Sequence, residues 1–221
     1  MHYAVKTNKD DNILREIVRM GESFDCASKS EIARVLEAGA RPEKLIFANS
    51  CKARDHIQYA KERGVKLMTF DCSEEAIKIH SIFPEAELIL RVAVYETNAP
   101  CPMGKKFGAL REMWSGILDT CIKLNLRVRG VSFHVGSGGC KFEAYEGALE
   151  SAKQVFDMAR SKGMPEFDML DIGGGVSMAA SNPAHNFDQV APKIMNHLRN
   201  VFPGQDYKNV QLLGEPGRFI C

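Results

Sequence analysis

The chain has 221 residues, of which 45% are hydrophobic and 26% charged, an ordinary globular composition for one large domain or two small ones. Twenty-nine basic residues stand against 28 acidic ones, a formal charge of +1, so nothing electrostatic points to nucleic acid or an anionic membrane surface as partner. The apolar runs are strand-sized, too short to span a bilayer, and the N-terminal MHYAVK has no signal-peptide core, so the expected location is cytoplasmic.

Short β-rich runs alternate with longer amphipathic segments. In chain order the strands are expected at 3–5, 23–26, 45–48, 67–70, 88–94, 128–133, 169–172 and 210–213. Helices are expected between them at 10–20, 30–38, 53–63, 73–82, 110–124, 142–162 and 187–201. In the sixth helix, Ala144, Ala148, Ala152, Val155, Phe156 and Ala159 fall on one broad face. Ser28, three residues before Glu31, and Ser73, ahead of Glu74 and Glu75, read as N-caps, while Gly21, Gly39, Gly64 and Gly163 read as C-cap glycines. Eight strands in strict alternation with helices predict an α/β fold of the (β/α)₈ type, a TIM-like barrel. The competing open doubly wound sheet is disfavoured, because Gly173-Gly174-Gly175 lacks the GxGxxG spacing and comes at the seventh strand. Seven cysteines with no CxxC pair argue against a disulfide framework or a zinc site, so no metal is expected.

Barrel enzymes build their sites at the C-terminal ends of the strands, where this sequence places Lys6, Asp25, Asn49, Asp71, Arg91, His134, Gly173 and Glu215. Each has a structural reading of its own, such as a solvated strand-end lysine or a hydrogen-bonded histidine. Together they crowd ionisable groups onto one rim for which a structural barrel has no need. A lysine in such company is a candidate Schiff-base former, since cationic neighbours and desolvation are expected to lower its pKa. The glycines at 173–175 and 136–139 offer unhindered backbone N–H groups for a phosphate, and Arg218 lies in the loop after the eighth strand. Lysine, phosphate cradle and a carboxylate at Glu215 point to pyridoxal 5′-phosphate, with Glu215 on the pyridinium nitrogen. The alternative from the same parts is an aldolase-type barrel in which Lys6 attacks a sugar-phosphate carbonyl directly.

The ordered motifs YAVKTN, FDCASKSEI, ILRVAV, KKFGA, FHVGSG, LDIGGG and GEPGRF resemble the alanine racemase-like barrel domain of pyridoxal-phosphate-dependent decarboxylases, and most of all the eukaryotic ornithine decarboxylases. The likeness runs through all 221 residues. It implies that Lys6 links covalently to the cofactor aldehyde and later moves protons, and that His134 stacks on the cofactor ring. Ser137, Gly173, Gly174, Gly175 and Arg218 would hold the phosphate and Glu215 the ring nitrogen. Asp25, Glu31 and Arg91 would order the pocket around them. It implies a basic amino-acid substrate, conversion of ornithine to putrescine, a homodimer and antizyme as a partner.

Relative to that family, the chain reads as one barrel domain over 1–221, cut short at both ends and lacking the accessory β-domain. An uncovered apolar flank is therefore expected, together with little or no turnover by the isolated chain. The 136–139 loop carries an extra glycine, and Val176-Ser177-Met178 replaces the family's Phe-Pro-Gly. Two functional readings follow: the barrel of a decarboxylase, acting on ornithine or on lysine, arginine or diaminopimelate, or a catalytically inactive relative that binds antizyme. The retained set of Lys6, His134, Glu215 and Arg218 favours the enzyme.

Overall fold

The computed structural model describes residues 1–94, 106–137, 141–175, 187–204 and 207–220. Eight parallel strands follow one another around a barrel: β1 His2–Ala4, β2 Ser23–Cys26, β3 Leu45–Phe47, β4 Leu67–Phe70, β5 Glu87–Arg91, β6 Arg127–Ser132, β7 Met169–Asp171 and β8 Gln211–Leu213. Closure runs from β1 to the chain just past β8, where the His2 and Ala4 N–H groups donate to the Gly214 and Pro216 carbonyls at 2.9 and 3.0 Å. Outside lie seven helices among the described residues: α1 Asp11–Arg19, α2 Lys29–Glu37, α3 Arg54–Glu62, α4 Ser73–Ile82, α5 Trp114–Lys123, α6 Phe142–Ser161 and α7 Phe187–Val201.

Each expected element is present; β2, β4, α4 and α7 have the expected bounds, and the others have shifted ends. The fifth strand stops at Arg91 because Val92 and Ala93 turn their backbone to the returning Ala109, with Ala93 N–H donating to its carbonyl at 3.0 Å. Gly108 permits that approach: a Cβ there would lie 2.5 Å from the Ala93 nitrogen. Ser28 caps α2, accepting from the Glu31 N–H, whereas the cap of α4 is Cys72, and Ser73 is already the first helical residue. Gly21, Gly39, Gly64 and Gly163 all have positive φ after their helices, as an αL C-cap requires.

Strand register decides what faces inward. Ala4 pairs with Asp25, Asp25 with Ile46, Arg91 with Ser132, Ser132 with Asp171, and Asp171 with Leu213. Because side chains alternate with period two, these residues share the inner face, and so do Lys6, His134, Gly173 and Glu215 two positions further on. Ile46, Ile89, Met169 and Leu213 fill the barrel interior beneath that rim. The opposite faces of the strands join the apolar sides of the helices in one large core, to which α6 contributes Ala144, Tyr145, Ala148, Leu149, Ala152, Val155, Phe156 and Ala159.

Among the described residues no helix covers the flank between β8 and β1. An apolar cavity of about 380 Å³ lies there, walled by residues such as Met1, Ala191, Met195, Leu212, Pro216 and Phe219. Among the described residues, Cys26, Cys51, Cys72 and Cys121 are free thiols, no group of three His, Cys, Asp or Glu side chains could hold a metal, and no helix is long and apolar enough to cross a membrane.

Candidate active site

The chain leaves β1 with Val5 N–H still bonded to the Asp25 carbonyl at 3.0 Å, and the turn that follows presents Lys6 beside β2. Its Nζ donates to Asp25 Oδ2 at 2.8 Å. The Asp25 side chain is fully buried and its Oδ1 has no hydrogen-bond partner. Burial pushes the Asp25 pKa up, against the pull of Lys6. For Lys6, burial acts downward, but the charge of Asp25 and the hydrogen bond to it act upward, and the amine is held above its ordinary value. The expected lowering does not occur, because the Asp25 carboxylate faces the ammonium at hydrogen-bonding distance.

Across the mouth, Asp171 and Glu215 form a buried acid pair. Gly173 N–H donates to Asp171 Oδ1 at 2.9 Å. Burial, and after it the charge of Asp171, push Glu215 well above the carboxylate range, whereas Asp171, raised chiefly by burial, reaches only about 6. Glu215 therefore keeps the proton and donates it to Asp171, leaving its own Oε1 buried without a partner. With Lys6 and Arg91 positive and Asp25 and Asp171 negative, the mouth is charge-balanced only if Glu215 is neutral, which is the state burial favours. Asp171 lies within LDIGGG, but as a strand residue ahead of a glycine turn it carries no signal of its own in the sequence.

His134 accepts a hydrogen bond from Gly136 N–H on Nδ1 at 2.9 Å, so its proton sits on Nε2. Burial, with Arg91 and Lys6 nearby, lowers its pKa to about 3. The stability linked to this group is complete above its unfolded value of 6.5 and is lost as pH falls towards 3, because the unfolded chain then binds a proton that the folded site refuses. Asp171 has the opposite sign: its contribution is complete below 3.8 and is lost as pH rises through about 6. In the cofactor-free protein, the His134 ring signals in NMR will therefore not titrate from about pH 8 to pH 5, and an inflection near 6.5 would contradict this environment.

The glycine turn packs too tightly for side chains. A Cβ on Gly173 would lie 2.4 Å from the Phe133 carbonyl oxygen, on Gly174 2.7 Å from the Glu215 carbonyl oxygen, and on Gly175 2.7 Å from that of Gly136. The loops after β6, β7 and β8 thus meet at one point, with Ser137 half-buried beside them. Arg218 is exposed on the rim. A Cβ on neighbouring Gly217 would lie 2.2 Å from Thr7 Oγ1, so the turn carrying Arg218 rests on the turn carrying Lys6.

Other expected members stand further back. Glu31 accepts from Ala27 N–H at 2.7 Å and pairs with Lys9 at 3.0 Å, reaching the site through its charge on Asp25. Arg91 lies over the Phe107 ring, 5.1 Å from its centroid, and acts on Lys6, Asp25, His134 and Asp171. Asn49 donates to the Ala27 carbonyl and Asp71 accepts from Gly108 N–H, so both brace loops. The extra glycine of the 136–139 loop and the departure at 176–178 lie outside the described residues.

Comparison with known proteins identifies the family. The profile of the family described as pyridoxal-dependent decarboxylase, pyridoxal binding domain, matches residues 1–221. The chain belongs to this family. It is 42% identical over 221 residues to ornithine decarboxylase of Caenorhabditis elegans and 40% identical over 220 residues to the chloroplastic enzyme of Nicotiana glauca, covering 99% of this chain and 51% and 49% of theirs. It therefore spans about half the length of these relatives. Among solved structures, Paramecium bursaria Chlorella virus arginine decarboxylase superposes with a TM-score of 0.91 at 38% identity, and Vibrio vulnificus lysine/ornithine decarboxylase complexed with putrescine with 0.87 at 30%. Each covers 99% or more of this chain, which in turn covers 57% of theirs.

Proposed function

We propose that this barrel holds pyridoxal 5′-phosphate for the decarboxylation of a basic amino acid, ornithine being the substrate best supported by the relatives at about 40% identity. The observation that carries the reading is the pairing of Lys6 with Asp25 opposite the buried acid of Glu215.

The residues fit the cofactor on three counts. Glu215 Oε1 and Asp25 Oδ1 are buried acceptors without partners, as a site awaiting a cationic or N–H-bearing ring would leave them. In the turn at Gly173–Gly175, the N–H groups of Gly174 and Gly175 donate to nothing among the described residues, as donors awaiting a phosphate would. His134 is neutral, so its ring can lie against an aromatic face without charge repulsion. Lys6 would bind the aldehyde, Glu215 the ring nitrogen, and Ser137, Gly173, Gly174, Gly175 and Arg218 the phosphate, with Asp25 fixing the lysine. When bound, the cofactor supplies the electron sink for loss of the carboxylate. Lys6, drawn aside by Asp25 when free, has an acid beside it to store the proton it must give or take.

Resemblance to the ornithine decarboxylases further supports putrescine as product, a homodimer and antizyme as a binding partner. The test is carbon dioxide release from carboxyl-labelled ornithine, lysine and arginine by the native product that carries this chain. Preferential release from ornithine is expected. Preference for another of the three would replace the substrate, and release from none would overturn the reading.

A further inference from the structure

The cradle after β7 is built from residues that hold their own shape poorly. Gly173 and Gly175 have φ of 65° and 110°, and a peptide unit between two glycines rotates at little cost. A flip of the Gly174–Gly175 peptide would present a carbonyl oxygen where an N–H stood, turning an anion site into one that repels anions.

One side chain stands against that flip. Tyr145, in the first turn of α6, is 1% exposed, and its hydroxyl donates to the Gly174 carbonyl oxygen at 2.8 Å. Its ring is fixed in turn by an edge-on contact with Phe133, 6.5 Å between centroids. A Cβ on Gly175 would lie 3.0 Å from the same hydroxyl, so Tyr145 also stands close to the Gly175 backbone. The C=O and N–H of a trans peptide point in opposite directions, and no peptide among the described residues is cis. Aiming the Gly174 carbonyl at Tyr145 therefore aims the Gly175 N–H away from α6. Among the described residues, the Gly174 and Gly175 N–H groups donate to nothing.

We propose that Tyr145 is a positioning residue for anion binding, its hydroxyl setting the Gly174–Gly175 peptide so that the Gly175 N–H meets a phosphate group. The proposal rests on the cofactor reading above and adds to it the residue that orients the donor. A tyrosine that merely satisfies a buried carbonyl would affect stability and nothing else, which separates the two roles.

The experiment compares wild type with Tyr145→Phe in binding pyridoxal 5′-phosphate and pyridoxal, which differ only in the phosphate. The same two proteins are melted with and without inorganic phosphate. Tyr145→Phe should bind the phosphorylated form roughly 5- to 30-fold more weakly, bind pyridoxal unchanged, and lose the stabilisation that phosphate gives wild type. Equal weakening of both ligands, or a lowered melting temperature with the preference intact, overturns the proposal. A wild type that does not prefer the phosphorylated form sinks the cofactor reading itself, and the proposal with it.

Discussion

Lys6→Ala should abolish covalently held pyridoxal 5′-phosphate, so that gel filtration strips the cofactor from the variant and leaves it on wild type. The expectation rests on place and on partner. Lys6 stands at the mouth of the barrel with its Nζ 2.8 Å from a carboxylate that water cannot reach. The other lysine near the barrel, Lys52, is fully buried, sealed behind the rim, bonded to the Asn49 and Thr69 carbonyls and paired with Glu75 at 2.9 Å. Removing Lys6 also leaves Asp25 buried with no cation at bonding distance, which burial alone would drive towards the neutral acid. The variant should therefore fold, and cofactor retained by it would reassign the lysine.

Glu215→Gln should weaken the cofactor roughly 10- to 100-fold, the usual worth of a buried hydrogen bond to a charged group. Glutamine keeps the shape and can still donate to Asp171, but it cannot become the carboxylate that a protonated ring nitrogen needs. Burial and Asp171 make Glu215 the most reluctant acid at the mouth to ionise, so a cation in front of Oε1 is what would bring it to do so. Asp171→Asn gives the contrasting result. Losing its charge relieves Glu215, and the variant should gain stability relative to wild type as pH rises through about 6, where wild-type Asp171 ionises at a cost. Urea melts at pH 5 and 8 read this directly; an unchanged difference between the two pH values would show that Asp171 is not strained.

The barrel was legible because its determinants are local. Alternating periods of two and 3.6 and glycines after helices need no partner to be read, and the register that brings Lys6, Asp25, Arg91, His134 and Glu215 together follows from the alternation of the strands. What was hidden depends on pairs distant in sequence. Asp171 matters because Glu215 faces it 44 residues later. Tyr145 looks like filler on the apolar side of α6 until Gly174, 29 residues on, presents a carbonyl to it. The raised pKa of Lys6 likewise depends on Asp25, which the pairing of β1 with β2 brings to its Nζ. Asn49 and Asp71 were placed correctly at strand ends, but their bonds go to neighbouring loops.

The central claim is that the mouth of this barrel holds the cofactor through Lys6. It is tested most directly by reducing the protein with borohydride in the presence of pyridoxal 5′-phosphate, then digesting it and locating the label by mass spectrometry. One phosphopyridoxyl group on the peptide containing Lys6 is the predicted result. Label on Lys52, or spread over surface lysines with Lys6 unmodified, would contradict it.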